Sequence, residues 1–438
     1  MSISLLLKAM TPTAAIAQFR GNVARLGVSR LLRAGFWLTV ANVLTGLLGY
    51  AYQVLMGRML SPVEFALFSA VMALSMFFSS PLGAVSMVIS RRVSALRATD
   101  RFAVLRSLYW RAHRFLALGG LVFLLLLALL VGEAQAYLKS PTAAPIWIFG
   151  IFIAIGAFSL INGAFFQGMQ RFGWLGGTGV WAVALKIVLS TALIALGFGV
   201  SGALTGVLLA TVGAWLLGML IIVQGLPNKV APGHLPPAPF PLNAVLPVLI
   251  ANIAFVAMTQ LDMVLVNWYF PPEQAGLYAA ASVLGKAVLY LPGGLVMALY
   301  PMVAENHAKD QGSAHILLQA VAVTASLCGV AALAYWLLGE WLIALLYGQN
   351  YAGAGELLRW YGFAILPMAL VIVAENFLIA KGRVLFAWLF LGMAPVQILA
   401  IYLWHGQLWQ VIAIMGCCGA ILVVIGYSMM WRDYRRGS

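Results

Sequence analysis

Acidic side chains are scarce: eleven aspartates and glutamates serve 438 residues, and charged residues of both signs make up only 8% of the chain. A water-soluble domain carries about a quarter, so this composition excludes an ordinary soluble globule. With 63% hydrophobic residues and a mean hydropathy of +1.00, it points to an integral membrane protein. Cysteine is nearly lacking too. Cys328, Cys417 and Cys418 sit in apolar runs, which excludes a disulfide framework or a metal site and leaves small packing residues. No GxxxxGK[ST] phosphate loop occurs, so ATP hydrolysis is unsupported. The five histidines are scattered through predicted loops, and no segment between apolar runs reaches the size of a catalytic domain. A non-enzyme without cofactor or metal is expected. The start lacks a charged region leading directly into an apolar core and cleavage site, so no cleavable signal is expected.

What the chain has is long apolar runs. A helix needs about 20 apolar residues to cross the hydrocarbon. That rule predicts spans near 34–57, 65–90, 115–132, 145–168, 174–197 and 202–224, then 243–269, 276–300, 315–338, 357–380, 384–404 and 408–431. The net charge of +14 marks orientation and not nucleic-acid binding. With the N-terminus cytoplasmic, twenty of the 25 lysines and arginines fall inside, seven of them between Arg91 and Arg114, against Arg58, Lys139 and Arg359 outside. Both termini are therefore predicted cytoplasmic. Lys186 and Lys286 remain within spans.

The second half echoes the first at an offset of 210. Leu55 to Met87 reads LMGRMLSPVEFALFSAVMAL…PLGAVSM, and Leu265 to Met297 reads LVNWYFPPEQAGLYAAASVL…LPGGLVM. Pro62 falls on Pro272, Phe68 on Tyr278 and Gly83 on Gly293. Six spans per half give both halves one orientation, so the predicted fold is all-α, twelve transmembrane helices in two six-helix lobes related by an axis along the membrane normal. The expected organisation is an amphipathic cytoplasmic segment 1–33, an N-lobe 34–224, a linker 225–242 within a stretch carrying six prolines, a C-lobe 243–431 and a tail 432–438.

A charge inside lipid costs a few kcal/mol or more, so each one is a candidate site. Asp262, near the end of span seven, and Lys286, within span eight, lie at similar depth below one turn, which predicts an ion pair. It reads either as a charged cavity wall or as a static pair locking the hairpin. Lys186 in span five has no obvious partner in sequence; Arg58 ends span one. The first half carries only Glu64, Asp100 and Glu133, all expected in loops. Pro81 and Pro292 predict paired kinks, and Gly202, Gly206 and Ala210 a ridge for close helix packing.

The stretch from Thr259 to Glu305, with Asp262, the proline turn, Gly276-Leu277-Tyr278 and Pro301, resembles bacterial polysaccharide-biosynthesis flippases of the Wzx type, within the multidrug/oligosaccharidyl-lipid/polysaccharide exporter superfamily. GRMLSPVEFALFSAV and GAFFQGMQRF are similar to that family's first hairpin and its fourth-to-fifth helix turn, so the likeness covers the whole chain. The resemblance implies a MATE-like fold in a bacterial inner membrane and translocation of a lipid-linked oligosaccharide or polysaccharide by alternating access. It implies a cavity lined by spans one, two, seven and eight, in which Asn42, Gln53, Asn252, Gln260 and Tyr290 join Arg58, Lys186, Asp262 and Lys286 as candidate substrate-binding residues. Interhelical hydrogen bonding is the other reading of these polar groups. Expected partners are the glycan substrate, membrane lipids and other polysaccharide-assembly proteins, with H+ or Na+ as a candidate coupling ion. A cation-coupled multidrug antiporter of the same fold and a membrane component of a polysaccharide synthase complex stay open.

Overall fold

In a computed structural model, the structure describes residues 12–226, 242–292 and 314–437, and all regular structure among them is helical. Among the described residues twelve α-helices follow in chain order: α1 Pro12–Met59, α2 Pro62–Ala98, α3 Phe102–Tyr137, α4 Ala144–Gly168, α5 Phe172–Leu193, α6 Gly199–Gln224, α7 Leu242–Tyr269, α8 Pro272–Lys286, α9 Ala314–Leu346, α10 Ala354–Ala380, α11 Leu385–Leu403 and α12 Leu408–Gly437. Each predicted span overlaps one of them, the eighth only over its first half. Ten stretches are long and apolar enough to cross a membrane; one of these, Phe172–Gln224, holds both α5 and α6, and α8 is described over only fifteen residues. α3 shows what surrounds the bundle: none of its most apolar eighteen residues is buried, and Leu129 is 80% exposed. Such a surface needs lipid against it.

The helices alternate in direction, which defines two ends. The hairpin end carries the turns α1–α2, α3–α4 and their successors; the terminal end carries Pro12 and Gly437. The 210-residue repeat is structural: α1 and α7 end at Met59 and Tyr269, and α2 and α8 begin at Pro62 and Pro272. Proline suits the first helical position because its missing N–H has no acceptor there. Before Pro62, Ser61 and Glu64 form a reciprocal capping box. Glu64 is therefore the third residue of α2 and not a loop residue, and its other oxygen accepts from the amide of Val200 at 3.3 Å, docking the α5–α6 reversal. That reversal passes through Gly197 and Gly199 at φ +89° and +49°, where a side chain would be strained.

Several boundaries differ from the sequence reading. The predicted loop 91–114 is two helix ends joined by Thr99–Arg101, so Arg91 to Arg114 sit mostly on helices that outrun the apolar run. Hydrophobicity marks where hydrocarbon ends, not where the backbone stops hydrogen bonding. Glu133 likewise lies in α3, and His113 is buried mid-helix, accepting from Trp215 Nε1 at 3.3 Å. α1 runs unbroken across the boundary expected at residue 34. α2 continues through Pro81, whereas α8 gives way to a 3-10 turn at Ala287–Tyr290 ahead of Pro292. The span-eight residues 293–300, Pro301 and most of the proline-rich linker lie outside the described residues.

Buried side chains form one large cluster and two small ones. The large cluster joins the lobes in their hairpin halves, with Tyr52, Met56, Phe65 and Phe68 of the N-lobe packed together with Tyr278, Tyr351 and Tyr361 of the C-lobe. Toward the terminal end the N-lobe core separates, with Val93, Tyr109, Phe165 and Ile222 in a cluster of that lobe alone, while the large cluster continues through the C-lobe to Phe377, Phe386 and Met430 beside a small one of Ile250, Ala251 and Ala387. Within the N-lobe the predicted ridge on α6 is in contact with α5, a Cβ at Gly206 meeting the Ser190 backbone and one at Gly202 the Leu193 carbonyl at 3.1 Å. Gly206→Val should therefore cost about 1–3 kcal/mol by overpacking, read as a lower unfolding temperature in detergent.

Candidate functional site

Asp262 stands two turns before the end of α7 with no exposed surface. Its Oδ1 lies 3.0 Å from Lys286 Nζ on the last residue of α8. Its Oδ2 accepts from the hydroxyls of Tyr278, at 2.8 Å, and Tyr361, at 3.0 Å. Tyr278 precedes Lys286 by two helical turns and so shares its face; Tyr361 comes from α10. The Tyr278 hydroxyl also touches Met415 sulfur of α12 at 3.4 Å. A buried ion pair is tolerable when further hydrogen bonds satisfy its lone pairs, and here three donors do so. The group ties together α7, α8 and α10, inside the C-lobe.

The N-lobe has a different centre at the equivalent place. The offset of 210 maps Asp262 onto Tyr52, fully buried on α1. Its hydroxyl pairs with Ser190 Oγ at 3.2 Å, and Ser190 donates to the Ala203 carbonyl at 2.9 Å. Lys186, one turn from Ser190 on α5, holds its ammonium 4.2 Å from the centre of the Tyr52 ring. The partner invisible in sequence is thus an aromatic face, attracting the cation through its quadrupole. Lys186 stays half-buried and has no carboxylate partner among the described residues.

The lobes clasp at the hairpin end through main-chain acceptors. Arg58 donates from Nε to the Leu346 carbonyl at 2.7 Å and from Nη2 to that of Leu345, capping the carbonyl end of α9. Tyr351 donates to the Leu60 carbonyl at 3.3 Å. On the other flank Lys139 donates to the Phe270 carbonyl at 2.8 Å and Asn267 to that of Leu138 at 2.9 Å, beside the stacked rings of Tyr137 and Trp268. Partial burial pushes the Lys139 ammonium below the ordinary lysine range. Gly57 lies against the Tyr347 ring and Gly276 against the Pro62 carbonyl, close approaches that a side chain would prop apart.

Of the predicted residues, Asp262 and Lys286 are brought together. Tyr290 is 53% exposed and meets Tyr50 edge to face across the lobes, ring centres 6.2 Å apart. Gln53 is half-buried with Oε1 unpartnered. Asn252 is exposed and bonds its own helix at the Val248 carbonyl; Asn42 is exposed, and Gln260 is half-buried on α7, turned away from Asp262 by its spacing of two residues. Lys186 belongs to the other lobe's centre and Arg58 to the clasp. The sequence names Tyr278 in the repeat and Tyr52 on span one without linking them to Asp262 or Lys186, and it gives Tyr361 no role; only the eight-residue spacing of Tyr278 to Lys286 offered a signal.

Two measurements test this geometry. Asp262→Leu alone should cost about 3–5 kcal/mol by leaving Lys286 unpaired, and adding Lys286→Met should restore most of that in thermal unfolding; equal losses would mean the two are not coupled. Arg58→Ala removes charge-assisted hydrogen bonds worth about 1.5–3 kcal/mol. A cysteine at Gln53 should then react at least about tenfold faster with an impermeant thiol reagent added at the hairpin end.

The sequence profile of the family described as polysaccharide biosynthesis protein matches residues 31–307, and that of MatE matches residues 247–403. No curated protein is significantly similar in sequence. The fold is similar to the inward-facing conformation of a multidrug resistance MATE family transporter of the MOP superfamily, with TM-score 0.69 and 13% identity over 89% of this chain and 94% of that one. An outward-facing conformation of such a transporter gives TM-score 0.61 at 16% identity, over 92% and 95% of the chains. The lipid II flippase MurJ in its inward closed conformation gives 0.66 at 15%, over 90% and 87%. At such identities the likeness speaks to the fold.

Proposed function

The chain belongs to the polysaccharide biosynthesis protein family, and on that premise we propose that it is a translocator moving an anionic lipid-linked glycan across a bacterial inner membrane, its terminal end cytoplasmic. The observation that carries this reading is the uneven join between lobes: a core shared by both and a polar clasp at the hairpin end, and toward the terminal end an N-lobe core separate from that of the C-lobe. A bundle joined this way encloses a cleft open toward the terminal end, and rupture of the clasp exposes the same cleft on the other side. The twenty basic residues assigned to the terminal end support its cytoplasmic location. The higher TM-score with the inward-facing relative is consistent with that state.

The two lysines within spans take different roles in this reading. Lys286 is neutralised and enclosed, so it organises the C-lobe. Lys186 keeps an uncompensated charge on the half-buried N-lobe side and attracts the substrate's pyrophosphate. Tyr50, Tyr290 and Gln53 present ring faces and an amide to sugar. The lipid tail stays in the bilayer while the polar head takes the cleft. The MatE match over the second lobe supports a cation-coupled antiporter as a second reading, although Asp262, with three donors on its carboxylate, offers a cation little coordination.

The test is protein reconstituted in liposomes with a labelled polyprenyl-pyrophosphate oligosaccharide. Wild type should speed its transbilayer movement, and Lys186→Met should slow it by roughly tenfold, a loss of about 1.4 kcal/mol in interaction with the anion. Unassisted rates with wild type, together with uptake of a cationic drug, would favour the antiporter instead.

A further inference from the structure

A cavity of about 1000 Å³ opens on the flank of the C-lobe, between α10 and α12, with no N-lobe residue in its lining. It is separate from the inter-lobe cleft and takes no part in the function proposed above. Its walls are apolar and shallow because the inward positions of α12 are small. Ala413, Cys417 and Ala420 all remain exposed within it, facing Phe363 and Pro367 of α10.

The groove has a direction and a length. It starts at the hairpin end, where Glu356 occupies the first turn of α10 and Gln407 precedes α12. From Leu408 to Ala420 at 1.5 Å per residue it descends about 18 Å, slightly more than half of a hydrocarbon layer about 30 Å thick. It therefore spans one leaflet and stops near the midplane, as an acyl chain does.

The mouth selects among headgroups. Glu356 is exposed and has no side-chain partner among the described residues, Gln274 lines the same mouth, and no lysine or arginine among the described residues lines the cavity. Arg359, close by in sequence, is engaged with Glu340 at 2.9 Å. Trp360 and Trp409 flank the mouth, each about half exposed, and Trp409 holds Gln407 Oε1 at 2.5 Å. A carboxylate and two indoles lining one mouth favour an ammonium, by charge and by the ring quadrupole, and disfavour a headgroup of net negative charge.

We infer that this groove is a binding site for an aminophospholipid of the leaflet at the hairpin end: acyl chain along Ala413 to Ala420, ethanolamine ammonium on Glu356 between Trp360 and Trp409. The charge at the mouth also separates the site from the anionic substrate, whose pyrophosphate it would repel.

Native mass spectrometry of the full-length protein, delipidated and titrated with equal amounts of phosphatidylethanolamine and phosphatidylglycerol, tests the assignment. Wild type should retain the ethanolamine lipid about threefold more than the glycerol lipid, the scale of a single cation–aromatic and carboxylate contact. Glu356→Gln should remove the preference while some lipid still binds, and Ala413→Phe, which fills the groove, should remove the bound lipid itself. Alkylation of Cys417 by a membrane-soluble maleimide should slow when phosphatidylethanolamine is added. Equal retention of both lipids by wild type, or a preference that survives both substitutions, would overturn the assignment.

Discussion

Acyl chains solvate a leucine as well as another helix does, so twelve helices in lipid need close packing and polar groups with internal partners to hold one arrangement. Every feature that defines this molecule answers to that constraint. The C-lobe gathers three helices on the carboxylate of Asp262. The N-lobe joins α1, α5 and α6 through Tyr52, Ser190 and the Ala203 carbonyl, and lets α5 and α6 touch at Gly206. Between the lobes, cations and amides reach backbone oxygens at helix ends, where acceptors are unused by the helix itself.

The duplication gives the two lobes one frame and different chemistry. Met59 and Tyr269 end equivalent helices, and Pro62 and Pro272 begin the next ones, yet Tyr52 stands where Asp262 does. Each lobe holds one lysine near its polar centre, on α5 in the first and α8 in the second. Among the described residues only the second is matched by a carboxylate. Two lobes built alike thus differ in charge: one holds its lysine in an ion pair, the other against an aromatic ring.

The spans were legible because hydrophobic length is written locally, and the Asp262–Lys286 pair because depth follows from counting residues back from a turn. Tyr361 was not legible: it is about a hundred residues from Asp262 and looks like one more aromatic in an apolar run. The role of Arg58 was hidden for a deeper reason, since its acceptors are backbone carbonyls of Leu345 and Leu346, which leave no mark in the sequence. The stretch from Arg91 to Arg114 read as a loop because charge density locates the membrane boundary, while α2 and α3 continue past it. The groove beside Glu356 depends on small residues of α12 facing α10, a relation only the assembled lobe contains.

The acceptors that Arg58 grips have a consequence for how the molecule can vary. A carbonyl belongs to every residue type, so drift at positions 345 and 346 leaves the grip intact, and neither oxygen gains or loses a proton in the physiological range. The fastening is therefore robust to mutation on one side and indifferent to acidity on its acceptor side. Parting this contact takes a displacement of one helix end against the other, of α1 or of α9, and not a change of chemistry at the carbonyls.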